Sequence, residues 1–138
     1  MAHSGKILSL DVGEKRIGVA LADATVKIAV VYDTLVVDGG ELGQIAQIIE
    51  KEGVGTIVIG LPRNQSGDTT KQTEIVRQFG DDVATLGVPV IYQDESLTSV
   101  HAEGLLKKQN KPYTKAQVDS LAACLILQDY LEDPHGRI

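Results

Sequence analysis

The sequence predicts an α/β fold built on a five-stranded mixed sheet, and three observations lead to this prediction. Two strand-forming segments flank a charged turn near the start of the chain. A β-branched segment follows them, and later apolar strands alternate with segments of helical periodicity. Because strand-helix-strand connections are right-handed and join parallel strands, we expect the order 3-2-1-4-5, with strand 2 antiparallel and helices flanking the sheet.

The first three strands are predicted as an antiparallel meander. Strand-forming residues at 7–12 and 17–21 are separated by Gly13-Glu14-Lys15-Arg16, which is typical of a β-hairpin. Residues 27–37 are rich in β-branched side chains, and the short connection before them favours pairing back onto the second strand.

The remainder of the chain alternates between helices and strands. Helices are predicted at 42–51, at 75–86 and from 114 onwards, and a further helix capped by Thr98 or Ser99 is predicted to run towards Lys108. Strands are predicted at 54–61 and 88–92. Strand 54–61 is apolar throughout, which is typical of a strand buried on both faces, and Pro89 indicates a sheet edge. Thr114 and Gln117 can form a capping box for the last helix. The apolar stripe of that helix is predicted to contain Val118, Leu121, Ala122, Leu125 and Ile126.

Length and composition indicate one folded domain, residues 1–138, in a reducing compartment. The chain is 43% hydrophobic and 23% charged, and no apolar run approaches the ~18 residues of a membrane span. The first residues lack the layout of a signal peptide, and a single cysteine cannot form an internal disulfide. We therefore expect a soluble, cytoplasmic protein with no membrane partner. Cys124 lies in an apolar run and is interpreted as a small core residue.

The charge balance argues against a general affinity for nucleic acid. The net charge is −6 and the pI is about 4.9, whereas nucleic-acid binding depends on neutralising phosphates. One local patch could supply that charge, and its lysines are Lys107, Lys108, Lys111 and Lys115. The alternative interpretation is a solvated helix end and loop.

Three acidic residues are predicted to reach one edge of the sheet. Asp11 ends the first strand, Glu95 follows the fifth strand, and Asp119 lies in the first turn of the last helix. Ligands of open α/β sheets bind outside the carboxyl ends of the strands where the strand order reverses, here between strands 1 and 4. A carboxylate at the end of an apolar run is costly unless it is paired or bound to a metal.

Carboxylates without histidine or cysteine partners suit Mg²⁺ or Mn²⁺. The three histidines, His3, His101 and His135, share no motif. A pair of such ions clamps a phosphodiester by activating a water and stabilising the leaving oxygen. Lys15 and Arg16 could then meet the phosphate. Taken singly, Asp11 could be a turn cap, Glu95 a loop acid and Asp119 a favourable charge at a helix start.

Four blocks of the sequence, in this order, resemble the YqgF/RuvX family. They are DVGEKRIGVA from residue 11, VIGLP from residue 58 with Gly67, DESLTS from residue 94, and VDSLAA from residue 118 with ILQ from residue 126. The resemblance covers nearly the whole chain. It implies an RNase H-like fold and a metal-dependent nuclease that matures the 5′ end of 16S ribosomal RNA, in a family described earlier as a Holliday junction resolvase. It also implies that Asp11, Glu95 and Asp119 are the acidic site residues.

One residue departs from the family pattern. Ser96 occupies the position after the Asp-Glu pair where the family usually has arginine, so a guanidinium beside the site is missing. Arg63 or Lys15 could take over a phosphate contact.

The leading functional hypothesis is a nuclease for structured RNA whose partners are pre-rRNA and the small-subunit precursor. A Holliday junction resolvase is the alternative within this class, and it would require a homodimer to cut two strands symmetrically. Whether the chain is a monomer or a homodimer is left open by the sequence. A nucleic-acid or ribosome-binding module without catalysis is supported by the acidic pI and by Ser96. Nucleotide binding of the actin and sugar-kinase type would need two such domains, which 138 residues cannot supply.

Overall fold

A computed structural model describes residues 5–62, 70–95 and 98–132. The five strands are β1 (Lys6–Val12), β2 (Arg16–Asp23), β3 (Ala29–Val36), β4 (Val54–Leu61) and β5 (Val90–Asp94). The four helices are α1 (Glu41–Glu52), α2 (Lys71–Ala84), α3 (Thr98–Lys108) and α4 (Lys115–Glu132). Arg63 and Ser96 lie outside the described residues.

The sheet has the predicted order, β3-β2-β1-β4-β5. β2 pairs antiparallel with β1 and with β3, whereas β4 pairs parallel with β1 and with β5. The hairpin between β1 and β2 is closed by a hydrogen bond from the backbone N–H of Gly13 to the carbonyl of Arg16, at 2.9 Å. The carboxyl ends of β1, β4 and β5 consequently meet at one edge of the sheet.

Two apolar layers cover the two faces of the sheet. On one face, Leu8 and Leu10 of β1 pack in a cluster with residues of α1 and α2. On the other face, Ile7 packs in a cluster with Ala123 and other residues of α4. Successive side chains of a strand point to opposite faces, and Ser9, between Leu8 and Leu10, donates through Oγ to the carbonyl of Ala123 at 2.7 Å. The side chain of Asp11, two residues further on, therefore belongs to the face covered by α4.

Two helices begin at capping boxes. The predicted box at the start of α4 is present, since Gln117 N donates to Thr114 Oγ1 at 3.2 Å and Thr114 N donates to Gln117 Oε1 at 2.8 Å. α2 begins at Lys71, four residues before the predicted start, because Thr70 and Thr73 form a second box, with Thr73 N donating to Thr70 Oγ1 at 3.2 Å. The apolar periodicity marks only the part of α2 that packs on the sheet.

The buried stripe of α4 differs from the predicted one. Its fully buried residues are Ala122, Ala123, Ile126 and Leu127, whereas the predicted members Val118, Leu121 and Leu125 are only half-buried. α4 packs against α3 as well as against four strands, so apolar residues surround much of the helix and no single stripe can be recognised from the sequence.

Other local predictions can be compared with the structure directly. β5 is an edge strand, as Pro89 indicated, but it spans residues 90–94 rather than 88–92, and Pro89 still accepts a hydrogen bond from Ile57 N at 2.9 Å. Cys124 is half-buried, its Sγ donates to the carbonyl of Ala29 at 3.4 Å, and burial raises the pKa of the thiol. Within the described ranges, no helix combines the length and apolar character needed to cross a membrane.

Candidate active site

Asp11 carries a largely buried carboxyl near the end of the central strand β1. Its burial, together with the negative charge of nearby Asp119, raises its pKa from 3.8 to about 7. Desolvation disfavours the charged form of a carboxyl, and a second carboxylate disfavours it further. No hydrogen bond or ion pair from another described residue compensates this charge. Among the described residues, Asp11 therefore has no hydrogen-bond or ion-pair partner.

Asp119 reaches this carboxyl because α4 lies directly on the backbone of β2. A Cβ placed on Gly18 would collide with the carbonyl of Asp119 and with the N–H of Ser120. Gly18 pairs with Asp11 across the hairpin, and paired residues point to the same face of a sheet. The absent side chain of Gly18 is thus the reason that Asp119 can lie beside Asp11.

Asp119 is fixed by an ion pair to the first residue of β2. Arg16 Nε donates to Asp119 Oδ2 at 2.6 Å, and the two side chains are 32% and 20% exposed. A short, charge-assisted hydrogen bond between two largely buried side chains restricts the orientation of both. Arg16, which was expected to meet a substrate phosphate, is paired with a carboxylate in this structure.

Glu95 approaches the same face from β5. Its backbone N–H donates to the carbonyl of Leu61 at 3.2 Å, which extends the β4–β5 ladder by one residue. A Cβ on Gly60 would lie 2.9 Å from Glu95 Cγ and 2.5 Å from Ile126 Cδ1, so the Glu95 side chain crosses above Gly60 beside α4. Gly60 follows the pair Leu10–Ile59 in the parallel register and is the neighbour of Asp11 on β4.

The structure thus brings the three predicted acidic residues to one edge and one face of the sheet. Asp11 and Asp119 interact electrostatically. Glu95 follows β5, and its side chain lies over Gly60 on β4, the strand next to β1. Within residues 5–62, 70–95 and 98–132, the structure contains no group of three or more His, Cys, Asp or Glu side chains arranged so that it could hold a metal ion. The chemistry of the donors still fits a hard divalent cation. Asp11 carries a largely buried carboxyl that faces a second carboxylate and has no partner among the described residues, and a bound cation would relieve this repulsion.

The predicted nucleic-acid contacts fall into three groups. Lys15 is exposed in the hairpin turn next to the acidic edge. The lysines at 107, 108, 111 and 115 are all exposed, at the end of α3 and the start of α4. Residues four apart on a helix share one side, so Lys115 lies on the side of α4 that carries Asp119. Arg63, the remaining candidate, lies outside the described residues.

Sequence reasoning missed three residues that shape the site. Gly18 and Gly60 flank Asp11 on the neighbouring strands, and a glycine inside a strand is a signal for close backbone approach. Gln93 was expected beyond β5 but lies within it, opposite Gly60 in the β4–β5 register. It is 4% exposed, and its Oε1 has no hydrogen-bond partner in the described part of the chain.

Solved structures share this fold over nearly the whole chain. Thermus thermophilus RuvC in complex with a Holliday junction substrate superposes with a TM-score of 0.58 at 12% identity, over 97% of this chain and 99% of that one. The yeast mitochondrial Holliday junction resolvase Ydc2 gives a TM-score of 0.52 at 12% identity, over 93% of this chain and 78% of that one. At such identities the likeness is one of fold.

Sequence comparison defines the family. Residues 5–133 match the family described as "RuvX: Holliday junction resolvase", and the chain belongs to this RuvX (YqgF) family. A protein of Chloroflexus aurantiacus is 44% identical over 131 residues, covering 91% of this chain and 86% of its own. A protein of Synechocystis sp. is 42% identical over 137 residues, covering 96% of this chain and 90% of its own. Both carry the name "Putative pre-16S rRNA nuclease".

Proposed function

We propose that this chain, as one RNase H-like domain spanning residues 1–138, is a metal-dependent nuclease that hydrolyses phosphodiesters in structured RNA. The observation that carries the proposal is Asp11, whose largely buried carboxyl faces Asp119 at the carboxyl end of β1 and has a pKa raised to about 7. Strongly perturbed carboxyls with a specific charged neighbour are typical of functional sites. The substrate class, the precursor of 16S rRNA, is taken from the names of the RuvX relatives. Such a substrate would place the activity in the cytoplasm, on the precursor of the small ribosomal subunit.

A purely structural role does not account for Asp11. A turn-capping aspartate accepts hydrogen bonds from nearby backbone N–H groups, as Asp23 does from Thr25 N at 2.8 Å, and its pKa is lowered. Asp11 shows the opposite behaviour, because burial and Asp119 raise its pKa. A carboxyl in this environment lowers the folding stability, and a bound cation would offset that loss.

The carboxylates of Asp11, Glu95 and Asp119 would hold Mg²⁺ or Mn²⁺. When bound, such ions activate a water molecule and stabilise the leaving oxygen of a phosphodiester. The chain's own residues contribute orientation. Arg16 fixes the carboxylate of Asp119, and the contact of α4 with Gly18 fixes its backbone. Lys15, in the exposed turn, is available to a phosphate arriving at this edge.

The lysine patch, defined as Lys107, Lys108, Lys111 and Lys115, extends the proposed substrate surface away from the acidic edge. The chain is acidic overall, so phosphates would be repelled from most of its surface and attracted to this patch. α3 packs against α4, and α4 carries Asp119. A strand bound by the patch is thereby directed towards the three carboxylates.

The deciding experiment incubates purified protein with an end-labelled RNA that spans the 5′ junction of pre-16S rRNA. Parallel reactions contain Mg²⁺, Mn²⁺ or chelator. We expect cleavage only with metal, and none with Asp11→Asn. Asp81→Asn, an exposed aspartate on α2, is the matched control and should cleave like the wild type. Intact RNA in every wild-type reaction, with binding retained, would instead establish a binding module without catalysis.

The arrangement of the metal ligands has its own test. A crystal soaked in Mn²⁺ locates the ion by anomalous scattering. Contacts of ~2.0–2.2 Å from Asp11 and from at least one of the other two carboxylates are expected. An ion that contacts none of the three, or no ion at all, would remove the basis for a metal-dependent mechanism at this edge.

A second candidate function is the resolution of four-way DNA junctions, favoured by the description of the matching family. Symmetric cleavage of two strands would require a homodimer. The same reactions with a four-way DNA junction separate the two substrates, and sedimentation of the protein alone and with the junction gives the oligomeric state. Paired nicks at symmetric positions, made by a dimer, would favour the junction over RNA.

A further inference from the structure

Arg16 binds a carboxylate that the proposed metal site also requires. Its Nε donates to Asp119 Oδ2 at 2.6 Å, and both side chains remain partly exposed. A guanidinium keeps its positive charge in proteins and only donates hydrogen bonds. The cation that neutralises Asp119 in this structure is therefore a side chain of the protein itself.

The acidic side chains must rearrange before Asp11, Glu95 and Asp119 can share a metal ion. Among the described residues, no group of three or more His, Cys, Asp or Glu side chains is placed to hold one. The ion pair with Arg16 holds the Asp119 carboxylate in its present orientation. This ion pair therefore opposes the rearrangement that the proposed site requires.

The backbone of α4 is held against two strands, so the rearrangement falls to the Asp119 side chain. Thr34 Oγ1 of β3 donates to the carbonyl of Ala116 at 2.7 Å. The carbonyl of Asp119 lies so close to Gly18 of β2 that no Cβ would fit between them. With the start of the helix fixed in this way, rotation of the carboxylate is the movement that remains.

The Arg16 side chain extends from a backbone that is fixed as well. Its carbonyl accepts from Gly13 N at 2.9 Å, and the carbonyl of Lys15 accepts from Val37 N at 2.9 Å. Within the described ranges, Asp119 is the only ion-pair partner of this guanidinium. A single ion pair at the end of a long, partly exposed side chain can be exchanged for another without a change in the fold.

We propose that Arg16 changes partner when the divalent cation binds, leaving Asp119 and binding a phosphate group of the RNA at the cleavage site. This inference rests on the proposed function, because it assumes a metal ion at Asp119 and a phosphodiester beside it. Like charges repel, so a guanidinium and a divalent cation compete for one carboxylate. The released guanidinium matches the oxygens of a phosphate through two parallel N–H donors.

This partner exchange couples the binding of metal to the binding of RNA. Without metal, the positive charge of Arg16 is neutralised by Asp119 and is not available to a phosphate. With metal, the same charge is unpaired beside the proposed site of cleavage. Coupling between two ligands is reciprocal, so RNA should raise the affinity for metal by the same factor as metal raises the affinity for RNA.

The alternative is that Arg16 stays on Asp119 and orients it as a metal ligand. Substitution of such orienting groups typically lowers metal affinity 10- to 100-fold. The partner exchange predicts the opposite sign, because removing the guanidinium removes a competitor for the carboxylate. The structure favours the exchange, since the described carboxylates do not form a metal-binding group while Arg16 is in place.

The first test follows the Nε–H signal of Arg16 by ¹⁵N NMR while Mg²⁺ is added to the protein without RNA. We expect the signal of the paired guanidinium to be replaced by that of a solvent-exposed one. Arg77, whose guanidinium lies over the ring of Tyr92, is the internal control and should not change. An unchanged Arg16 signal in the presence of saturating Mg²⁺ would overturn the exchange.

The second test compares Mg²⁺ affinities by isothermal titration calorimetry. Arg16→Gln should bind Mg²⁺ about tenfold more tightly than the wild type, which corresponds to ~1.4 kcal/mol. Lys15→Gln removes the same charge from the neighbouring exposed residue and should stay close to the wild type. Circular dichroism checks that both variants are folded. Equal or weaker binding of Mg²⁺ by Arg16→Gln would overturn the exchange in favour of the orienting role.

The coupling itself is measured by filter binding of the precursor RNA in Ca²⁺ or in chelator at constant ionic strength, with the RNA checked on a gel. Ca²⁺ should raise the RNA affinity of the wild type and of Lys27→Gln, an exposed lysine before β3. It should not do so for Arg16→Gln. An equal increase in all three proteins would contradict the proposal.

Cleavage assays with Mg²⁺ separate this inference from the nuclease proposal. If the wild type cuts the RNA while the Arg16 signal stays unchanged in Mg²⁺, the exchange is wrong and the nuclease assignment remains. If Arg16 changes partner but no RNA is cut, the exchange remains and the nuclease assignment is wrong. If Mg²⁺ changes no signal at this edge of the sheet, both are overturned.

Discussion

Arg16 Nε donates to Asp119 Oδ2 at 2.6 Å and so joins the start of β2 to α4 across 103 positions of sequence. This ion pair balances one of the two carboxylates that face each other at the sheet edge. Asp11, the other, receives no such partner from the described residues and carries the raised pKa. Because only Asp119 has an ion-pair partner among the described residues, we expect substitutions at its ion pair and at Asp11 to have different effects.

Replacing Arg16 with glutamine should lower the free energy of unfolding by about 1–2 kcal/mol at low salt, because a charged hydrogen bond between largely buried groups is lost. The difference from the wild type should shrink as salt screens the charges. Chemical denaturation at two ionic strengths measures both effects. Lys15→Gln, one residue away and exposed, should change stability by less than about 0.5 kcal/mol. Equal effects of the two substitutions would mean that the ion pair contributes nothing specific.

Replacing Asp11 with asparagine should abolish cleavage while the fold persists, because the change removes a charge but almost no volume. In the metal-free protein at pH 8, the thermal midpoint should hold or rise, since the repulsion between Asp11 and Asp119 disappears. Circular dichroism melts in chelator measure this. A marked fall of the midpoint would show that Asp11 supports the fold rather than the chemistry.

The pH dependence of stability gives a separate prediction for the same pair of proteins. The pKa of Asp11 is about 7 in the folded state against the ordinary aspartate value of 3.8, so the folded state binds the proton more tightly. Wild-type stability relative to Asp11→Asn should therefore fall as pH rises from about 4 to 7 and then level off. At ~1.4 kcal/mol per pKa unit, the total change is on the order of 4 kcal/mol. Urea denaturation of both proteins in chelator at pH 4.5, 6 and 8 checks this. If the stabilities of the wild type and of Asp11→Asn change with pH in parallel, the raised pKa of Asp11 is contradicted.

Replacing Gly18 with alanine should destabilise the protein by about 2–4 kcal/mol and sharply reduce cleavage, because the new methyl group would collide with the backbone of α4. Gly43→Ala is the control, since a Cβ at this position in α1 meets nothing within 4 Å. It should stabilise the protein by about 0.5–1 kcal/mol through its higher helix propensity. Similar stabilities for both variants would disprove the close contact.

Removing charge from the lysine patch should weaken RNA binding and flatten its dependence on salt. Each lost phosphate contact lowers the log–log slope by about 0.7–0.9. The variant carries glutamine at 107, 108 and 111. The control carries glutamine at three other exposed lysines, Lys27, Lys51 and Lys71, and so has the same net charge. If filter binding gives both variants the same affinity and slope, the patch is only a solvated surface.

The sequence predicted the sheet order because hairpin and crossover rules leave few alternatives once the elements are found. It also predicted which edge Asp11, Glu95 and Asp119 share. It could not predict that Arg16 pairs with Asp119, because 103 positions separate them and only tertiary packing selects the partner. The early start of α2 was missed since Thr70 and Thr73 cap the helix without contributing to its apolar periodicity.

The contact between Gly18 and the carbonyl of Asp119 also bears on how the family can diverge. Because this contact joins backbone to backbone, the position of Asp119 over β2 depends little on which apolar side chains fill the layer beneath α4. Residues such as Ala123 and Ile126 can then be exchanged for others of similar total volume without displacing the carboxylate. Directed evolution of this chain for thermal tolerance could accordingly vary the residues of that layer, provided that Gly18 in β2 is kept.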